Sequence, residues 1–267
     1  LKAGITRSDL IITLGGGVVG DLGGFAAATY LRGIPYIQVP TTLLAQIDSS
    51  IGGKVAVDLD MGKNLVGSFY HPEAVYIDPD LLKTLDRRFL HDGVAEVIKY
   101  RCIRDKELFD NLSILKNDDE LLDHMDYIIT TCCNIKKTIV ERDEKDLGER
   151  MILNFGHTLG HAIEKYFNYQ KYTHGEAVAV GMYWMTVNSE RLGFTKPGTS
   201  EHIKSLLKKY DLPYKIDIHN PIYFFDKIIL DKKNFEGYLN LIILKEIGQA
   251  QIYKSNIEFI KNNFVLN

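Results

Sequence analysis

The stretch Leu10-Ile11-Ile12-Thr13-Leu14-Gly15-Gly16-Gly17-Val18-Val19-Gly20-Asp21-Leu22-Gly23-Gly24-Phe25 decides the fold. Its first five residues are a short apolar run, the pattern of a buried parallel strand. The triple glycine stops that run, and the Gly- and Ala-rich residues that follow, to about Tyr30, read as a tightly packed helix. Downstream, Ile34 to Val39, limited by Pro35 and Pro40, reads as a second strand, and Ala74 to Ile77 as a third. Strand, helix and strand in this order imply a right-handed crossover and an α/β layer.

Beyond Asp78-Pro79 the apolar period changes. Leu121, Leu122, Met125, Ile128, Ile129, Cys132, Ile139 and Val140 recur at intervals of three and four, which predicts an amphipathic helix over about 119–142. Helical patterns also cover about 80–101, 150–168, 175–192 and 199–210. Tyr238 to Leu244 and Gln251 to Tyr253, separated by Gly248, read as a small hairpin. The expected fold class is therefore α/β plus α: a partial Rossmann-like nucleotide-binding domain over 1–80, then a mostly helical metal- and substrate-binding domain over 81–267. The chain opens Leu1-Lys2-Ala3-Gly4 and enters its first strand pattern almost at once, so a missing N-terminal segment is expected.

Composition narrows the function classes. The 267 residues carry 32 Lys+Arg against 35 Asp+Glu, a formal net charge of −3, and this gives no global attraction to nucleic acid or to an anionic membrane. A 45% apolar fraction excludes wholesale disorder. No apolar run reaches the ~20 residues that a membrane helix needs. Cys102, Cys132 and Cys133 fit neither a disulfide framework nor a paired-cysteine zinc site, so a reducing, cytoplasmic location is expected.

The glycine block supports two readings. Gly15-Gly16-Gly17-Val18-Val19-Gly20 fits the bare G-x-G-x-x-G pattern, in which backbone N–H groups at a helix start cradle a phosphate. A close helix–sheet contact demands the same residues. The ribose-binding acid expected about 20 residues later is not evident, since Gln38 follows Ile37. Lys54 and Lys63, in a glycine-rich segment over 48–64, read as an anion-clamping loop or as routine solvated lysines.

The second half holds the acid and the histidines. Glu96 and Lys99 are three apart on a helix, the spacing of an ordinary surface ion pair. If 150–165 is one helix, Arg150, Asn154, His157 and His161 line one face. Glu96, His157 and His174 could supply one oxygen and two nitrogens to a catalytic zinc, although His157 and His161 lack the glutamate of H-E-x-x-H. Hydrogen-bonded histidines and metal-free proton transfer remain alternatives. Lys136 falls on an otherwise apolar helical series, and a lysine buried there needs a carboxylate or a bound anion unless it snorkels to solvent.

These blocks, in this order, resemble the dehydroquinate synthase family of sugar-phosphate cyclases. The resemblance rests on the glycine block, Val39-Pro40-Thr41-Thr42-Leu43-Leu44-Ala45-Gln46-Ile47-Asp48-Ser49-Ser50-Ile51-Gly52-Gly53-Lys54 and Gly62-Lys63-Asn64. It continues through Ala95-Glu96-Val97-Ile98-Lys99-Tyr100, Leu153-Asn154-Phe155-Gly156-His157-Thr158-Leu159-Gly160-His161-Ala162 and His174-Gly175-Glu176-Ala177-Val178. Such a family implies an enzyme that converts 3-deoxy-D-arabino-heptulosonate 7-phosphate into 3-dehydroquinate and phosphate. Its steps are transient oxidation by NAD, phosphate elimination, reduction, ring opening and aldol closure.

The resemblance also implies roles. Glu96, His157 and His174 become the ligands of Zn2+, or of Co2+. Gly16, Gly17, Val18, Val19, Gly20, Asp21, Thr41, Thr42, Lys54 and Lys63 fall in the NAD site. Asp48, Lys54, Asn64, Lys99, Lys136, Arg150, Asn154, His161 and Lys232, or its neighbour Lys233, match substrate or catalytic positions, with His161 the preferred proton-transfer group. A homodimer acting on a small phosphorylated sugar acid, with no nucleic-acid or membrane partner, completes the expectation. Another sugar-phosphate cyclase, a glycerol-dehydrogenase-like oxidoreductase and a noncatalytic fragment or interaction module are the competing readings.

Overall fold

The computed structural model describes residues 4–59, 62–230 and 238–266. They form two compact units: one contains residues 1–93 and 118–145, the other 94–117 and 146–267. The units are not contiguous in sequence. The stretch over about 119–142, expected as one helix of the second half, forms two, Asp118–Asp123 and Met125–Arg142, and both belong to the first unit.

In the first unit, β1 (Ile11–Gly15) pairs in parallel with β2 (Tyr36–Pro40), and β2 pairs in parallel with a short strand that is β5 in chain order (Ala74–Val75). Helix α1 (Gly17–Thr29) connects β1 to β2, the strand–helix–strand unit expected from the apolar runs. Its glycines show why the segment is so poor in side chains. A Cβ on Gly23 would lie 2.2 Å from Thr13 Cγ2, and one on Gly24 2.4 Å from Val55 Cγ1. Ala27, Ile34, Tyr36 and Val55 form the core beside this contact. Tyr36 and Tyr70 stack across it at 5.7 Å, the Tyr36 hydroxyl donating to the Tyr70 carbonyl and the Tyr70 hydroxyl to the Ile34 carbonyl.

The segment expected to be a lysine-bearing loop is instead largely an antiparallel hairpin, β3 (Lys54–Leu59) with β4 (Gly62–Phe69). Its Val55-Ala56-Val57 and Leu65-Val66 carry the β-branched and apolar residues of a ribbon, a signal outweighed in sequence by the flanking glycines. A π-helical turn, Ala45–Ser49, precedes it and contacts helix α5 (Met125–Arg142). Between them in sequence come α2 (Arg87–Arg104), α3 (Lys106–Ile114) and α4 (Asp118–Asp123).

The second unit is mostly helical, as expected. It takes α2 from Val94 onward, α3, α6 (His157–Tyr166), α7 (His174–Arg191), α8 (Thr199–Lys209), α9 (Pro221–Leu230) and α10 (Ile257–Asn263). The predicted hairpin is present as β6 (Tyr238–Glu246) with β7 (Gln249–Asn256), turning at Gly248 with φ +87°. One expectation fails here. Residues 150–168 are not a single helix: a 3₁₀ turn, Glu149–Asn154, ends before Phe155, and α6 begins only after Gly156, whose φ is +80°. Arg150 and Asn154 therefore do not share a helical face with His157 and His161.

Candidate active site

Helices α6 and α7 approach closely because glycine lines their contact. A Cβ on Gly181 would lie 2.1 Å from the Gly156 carbonyl oxygen, and one on Gly160 3.1 Å from Val178 Cα. His157 is the first residue of α6 and His174 the first of α7, and their rings meet at 5.1 Å between centroids. A capping box fixes where α7 starts: the Glu176 N–H donates to Thr173 Oγ1 at 3.4 Å, and the Thr173 N–H donates to Glu176 Oε2 at 3.0 Å.

Glu96, on α2, is fully buried. Its Oε1 lies 3.4 Å from His157 Nε2 and 3.7 Å from His174 Nε2. Ligand atoms of the three residues all lie within 4.8 Å of one another. His157 Nδ1 is 3.1 Å from the Phe155 carbonyl, which can only accept, so Nδ1 carries the proton and Nε2 presents its lone pair towards Glu96. Burial, then the Lys99 charge, then His174 and His161 hold the His157 imidazole well below its ordinary pKa of 6.5, with the Phe155 carbonyl opposing them. The ring is thus neutral, the form that binds a metal. One carboxylate and two imidazoles suit zinc or cobalt and leave coordination positions open, so the residues present fit a divalent ion.

Lys99 forms an ion pair with Glu96, and both side chains are almost wholly buried. The pair is therefore far from the solvated surface contact that its spacing alone describes. His161 stacks edge-on to His157 at 5.5 Å and lies 6.0 Å from His174. It belongs to a second group with ligand atoms in reach of one another: His161, Glu164 and His174. The sequence reading missed Glu164. A signal existed, since positions 157, 161 and 164 place three polar groups along one stripe of a helix whose opposite face carries Leu159, Ala162 and Ile163. Arg150 is buried on the 3₁₀ turn, with Asn154 at the end of that turn.

The first unit holds the other expected residues. Lys136 is 6% exposed and donates to the Asp48 carbonyl at 2.6 Å and to its carboxylate. The carboxylate partner demanded by its apolar register is thus Asp48. Asp21 sits among Asp58, Lys136 and Asp48; burial first, then Asp58, raises its pKa to about 7, Lys136 opposing and Asp48 adding. Gly16 caps α1 in an extended conformation, and no acid lies in the first helical turn from Gly17. A Cβ on Gly16 would come within 3.2 Å of Thr42 Cγ2, and the Thr41 N–H donates to the Gly15 carbonyl. An acid-free helix start of this kind could receive a pyrophosphate, while the close-packing reading of the block is seen at Gly23 and Gly24. Val18, Val19 and Gly20 complete the first turn. Lys54 opens β3 and is exposed, as are Lys63 and Asn64 on β4; the Asn64 N–H donates to Asp58 Oδ1 at 3.1 Å. Lys232 and Lys233 lie outside the described residues.

Comparison with known proteins places this arrangement. Residues 1–92 match the family description "3-dehydroquinate synthase N-terminal" and residues 93–234 match "3-dehydroquinate synthase C-terminal". The expectation of a chain without the family's N-terminal part is corrected, because that part is matched over residues 1–92; the chain spans about 70% of the length of the curated relative it matches at 66% identity. The chain is 66% identical to the 3-dehydroquinate synthase of Clostridium acetobutylicum over 94% of its own length and 70% of the relative's. It is 49% identical to that of Enterococcus faecalis over 96% of its length and 72% of the relative's. Among solved structures it resembles 2-epi-5-epi-valiolone synthase from Streptomyces hygroscopicus with NAD+ and Zn2+ bound: TM-score 0.87, 25% identity, 98% of this chain and 74% of that one. A 2-deoxy-scyllo-inosose synthase complexed with carbaglucose-6-phosphate, NAD+ and Co2+ matches with TM-score 0.86, 29% identity, 98% of this chain and 76% of that one. With both halves of the family matched in order, and the acid and two histidines gathered on three helices, the chain belongs to the 3-dehydroquinate synthase family.

Proposed function

We infer that this chain is an NAD- and divalent-metal-dependent 3-dehydroquinate synthase, converting 3-deoxy-D-arabino-heptulosonate 7-phosphate into 3-dehydroquinate and phosphate. The observation that carries the reading is the convergence of Glu96, His157 and His174 within 4.8 Å, in a chain 66% identical to an enzyme of that name. Bound NAD supplies a hydride acceptor that is regenerated within one turnover. Glu96, His157 and His174 would hold a divalent ion, which would supply Lewis acidity toward the substrate alcohol and the derived ketone.

The remaining roles fall to the chain's own side chains. Lys99, Arg150 and Asn154, in the same unit as the metal ligands, bind substrate anions, the guanidinium offering a two-pronged grip and the ammonium a point charge. His161, edge-on to His157, moves a proton between substrate and solvent. In the other unit, the start of α1 from Gly16 to Asp21, with Thr41, Thr42 and Lys63, binds the nucleotide, and Asp48, Lys54, Asn64 and Lys136 orient the substrate. Lys232 belongs to the same proposal from its sequence position. A homodimer in a reducing cytoplasm completes the reading, supported by the family resemblance and by three free cysteines. Among the described residues, no helix is long and apolar enough to cross a membrane.

Incubating the purified protein with the heptulosonate phosphate, NAD and Zn2+ tests the reading. Release of 3-dehydroquinate and phosphate without net NADH is the expected result. Accumulation of NADH would instead mark a dehydrogenase, and turnover only of other sugar phosphates would mark a different cyclase.

A further inference from the structure

Glu164 has no part in the chemistry above, yet it is 4% exposed and sits on the same helix as His157 and His161. A carboxylate at this depth is costly unless something holds its charge. Its Oε2 lies 3.5 Å from His174 Nδ1, while His174 Nε2 lies 3.7 Å from Glu96 Oε1. The two nitrogens of one ring therefore face two different carboxylates. For Nε2 to offer a lone pair beside Glu96, the ring proton must reside on Nδ1, and Glu164 stands where that proton needs an acceptor.

His157 solves the same problem differently, since its Nδ1 faces the Phe155 carbonyl two residues away. His174 opens its helix after Thr173, and a carboxylate from the neighbouring helix takes the place of the backbone carbonyl. The α6–α7 contact that brings His157 and His174 together also supplies Glu164, seven residues after His157.

We propose that Glu164 is a positioning residue, accepting the Nδ1 proton of His174 and so fixing the tautomer and ring orientation that present Nε2 to a metal alongside Glu96 and His157. The proposal rests on the metal reading above. It differs from the other arrangement the geometry permits, in which His161, Glu164 and His174 are themselves ligands. A negative charge behind the imidazole also raises its basicity as a donor, so the effect falls on metal affinity before it falls on chemistry.

The test is Zn2+ affinity, measured on the full chain by competition with a chromophoric chelator, for the parent, Glu164→Gln and Glu164→Ala. The expected result is a loss of about 10- to 100-fold for Glu164→Ala and a smaller loss for Glu164→Gln, whose amide oxygen can still accept. Co2+ loading should give ligand-field bands at the same positions in the parent and in Glu164→Gln, because the ligand set is unchanged. Zinc affinity unaltered in Glu164→Ala would overturn the proposal, and so would Co2+ bands in Glu164→Gln displaced as for loss of a ligand. Nitrogen-15 NMR of the zinc-loaded parent reads the tautomer without any substitution: a protonated Nδ1 and metal-bound Nε2 on His174 are expected, and the reverse would sink the idea. A parent that binds no zinc would overturn the metal reading itself, a result distinct from these.

Discussion

Lys136 donates to both the main-chain carbonyl and the side-chain carboxylate of Asp48, joining helix α5 to the π-helical turn within the first unit. The lysine side chain is 7% exposed and the aspartate 20%, so each charge depends on the other for its solvation. Removing one partner leaves a desolvated charge behind, which costs about 3–5 kcal/mol for a fully buried pair and somewhat less here because Asp48 keeps some contact with water. Lys136→Met should lower stability by about 2–4 kcal/mol in urea denaturation, and Asp48→Asn combined with it should recover part of the loss. Additive single effects would show that the two residues do not act as a pair.

Asp21 gives the first unit a pH-dependent stability. Its carboxyl is raised from 3.8 to about 7 in the folded chain, so the folded state binds a proton more tightly than the unfolded state. Its contribution is therefore fully present below about pH 4 and is lost as pH rises through about 7. Asp21→Asn should match the parent near pH 4 and exceed it increasingly up to pH 7, by on the order of 1–3 kcal/mol after allowing for partial solvent screening. Melting temperatures across this range check it. A constant difference at every pH would place the stabilisation elsewhere.

Gly156 carries the break that starts α6. Its φ of +80° disfavours any side chain, and a Cβ would lie 2.5 Å from Met182 Cγ and 2.8 Å from the Val178 carbonyl. Gly156→Ala should combine a backbone cost of about 1–2 kcal/mol with about 1–3 kcal/mol of overpacking. It should also weaken Zn2+ binding, because His157 is the next residue. Gly198→Ala is the control: its φ is +90° but nothing lies within 4 Å, so it should show the backbone cost alone and bind zinc normally.

The same glycine marks where the sequence stopped being legible. Strands β1 and β2, helix α5 and the β6–β7 hairpin follow from apolar period and turn residues, which are local properties. The placement of Glu96, His157 and His174 does not, because α2, α6 and α7 meet only through tertiary packing at positions such as Gly160 and Gly181. Family resemblance supplied that grouping; spacing alone left it open. The continuous helix across 150–168 was the wrong extrapolation, since a 3.6-residue period survives a short 3₁₀ turn closely enough to hide it. Glu164 shares the polar stripe of His157 and His161, but a glutamate in a helix is ordinarily solvated, and its burial against His174 is what separates it from a surface residue.

Glu96 serves a metal and a lysine at once, and substitution should separate the two. Glu96→Gln keeps the shape but removes the charge that faces Lys99, which is 1% exposed and has little access to water. Stability should fall by about 3–5 kcal/mol, and zinc affinity should fall by more than about 100-fold because an amide is a poor zinc ligand. Replacing Lys99 by Met in the same chain removes the stranded charge, so Glu96→Gln/Lys99→Met should regain most of the lost stability while zinc affinity stays low. Denaturation of the metal-free protein and chelator competition read the two effects independently. Recovery of zinc binding in the double variant would mean that Glu96 acts on the site through the fold and not as a ligand.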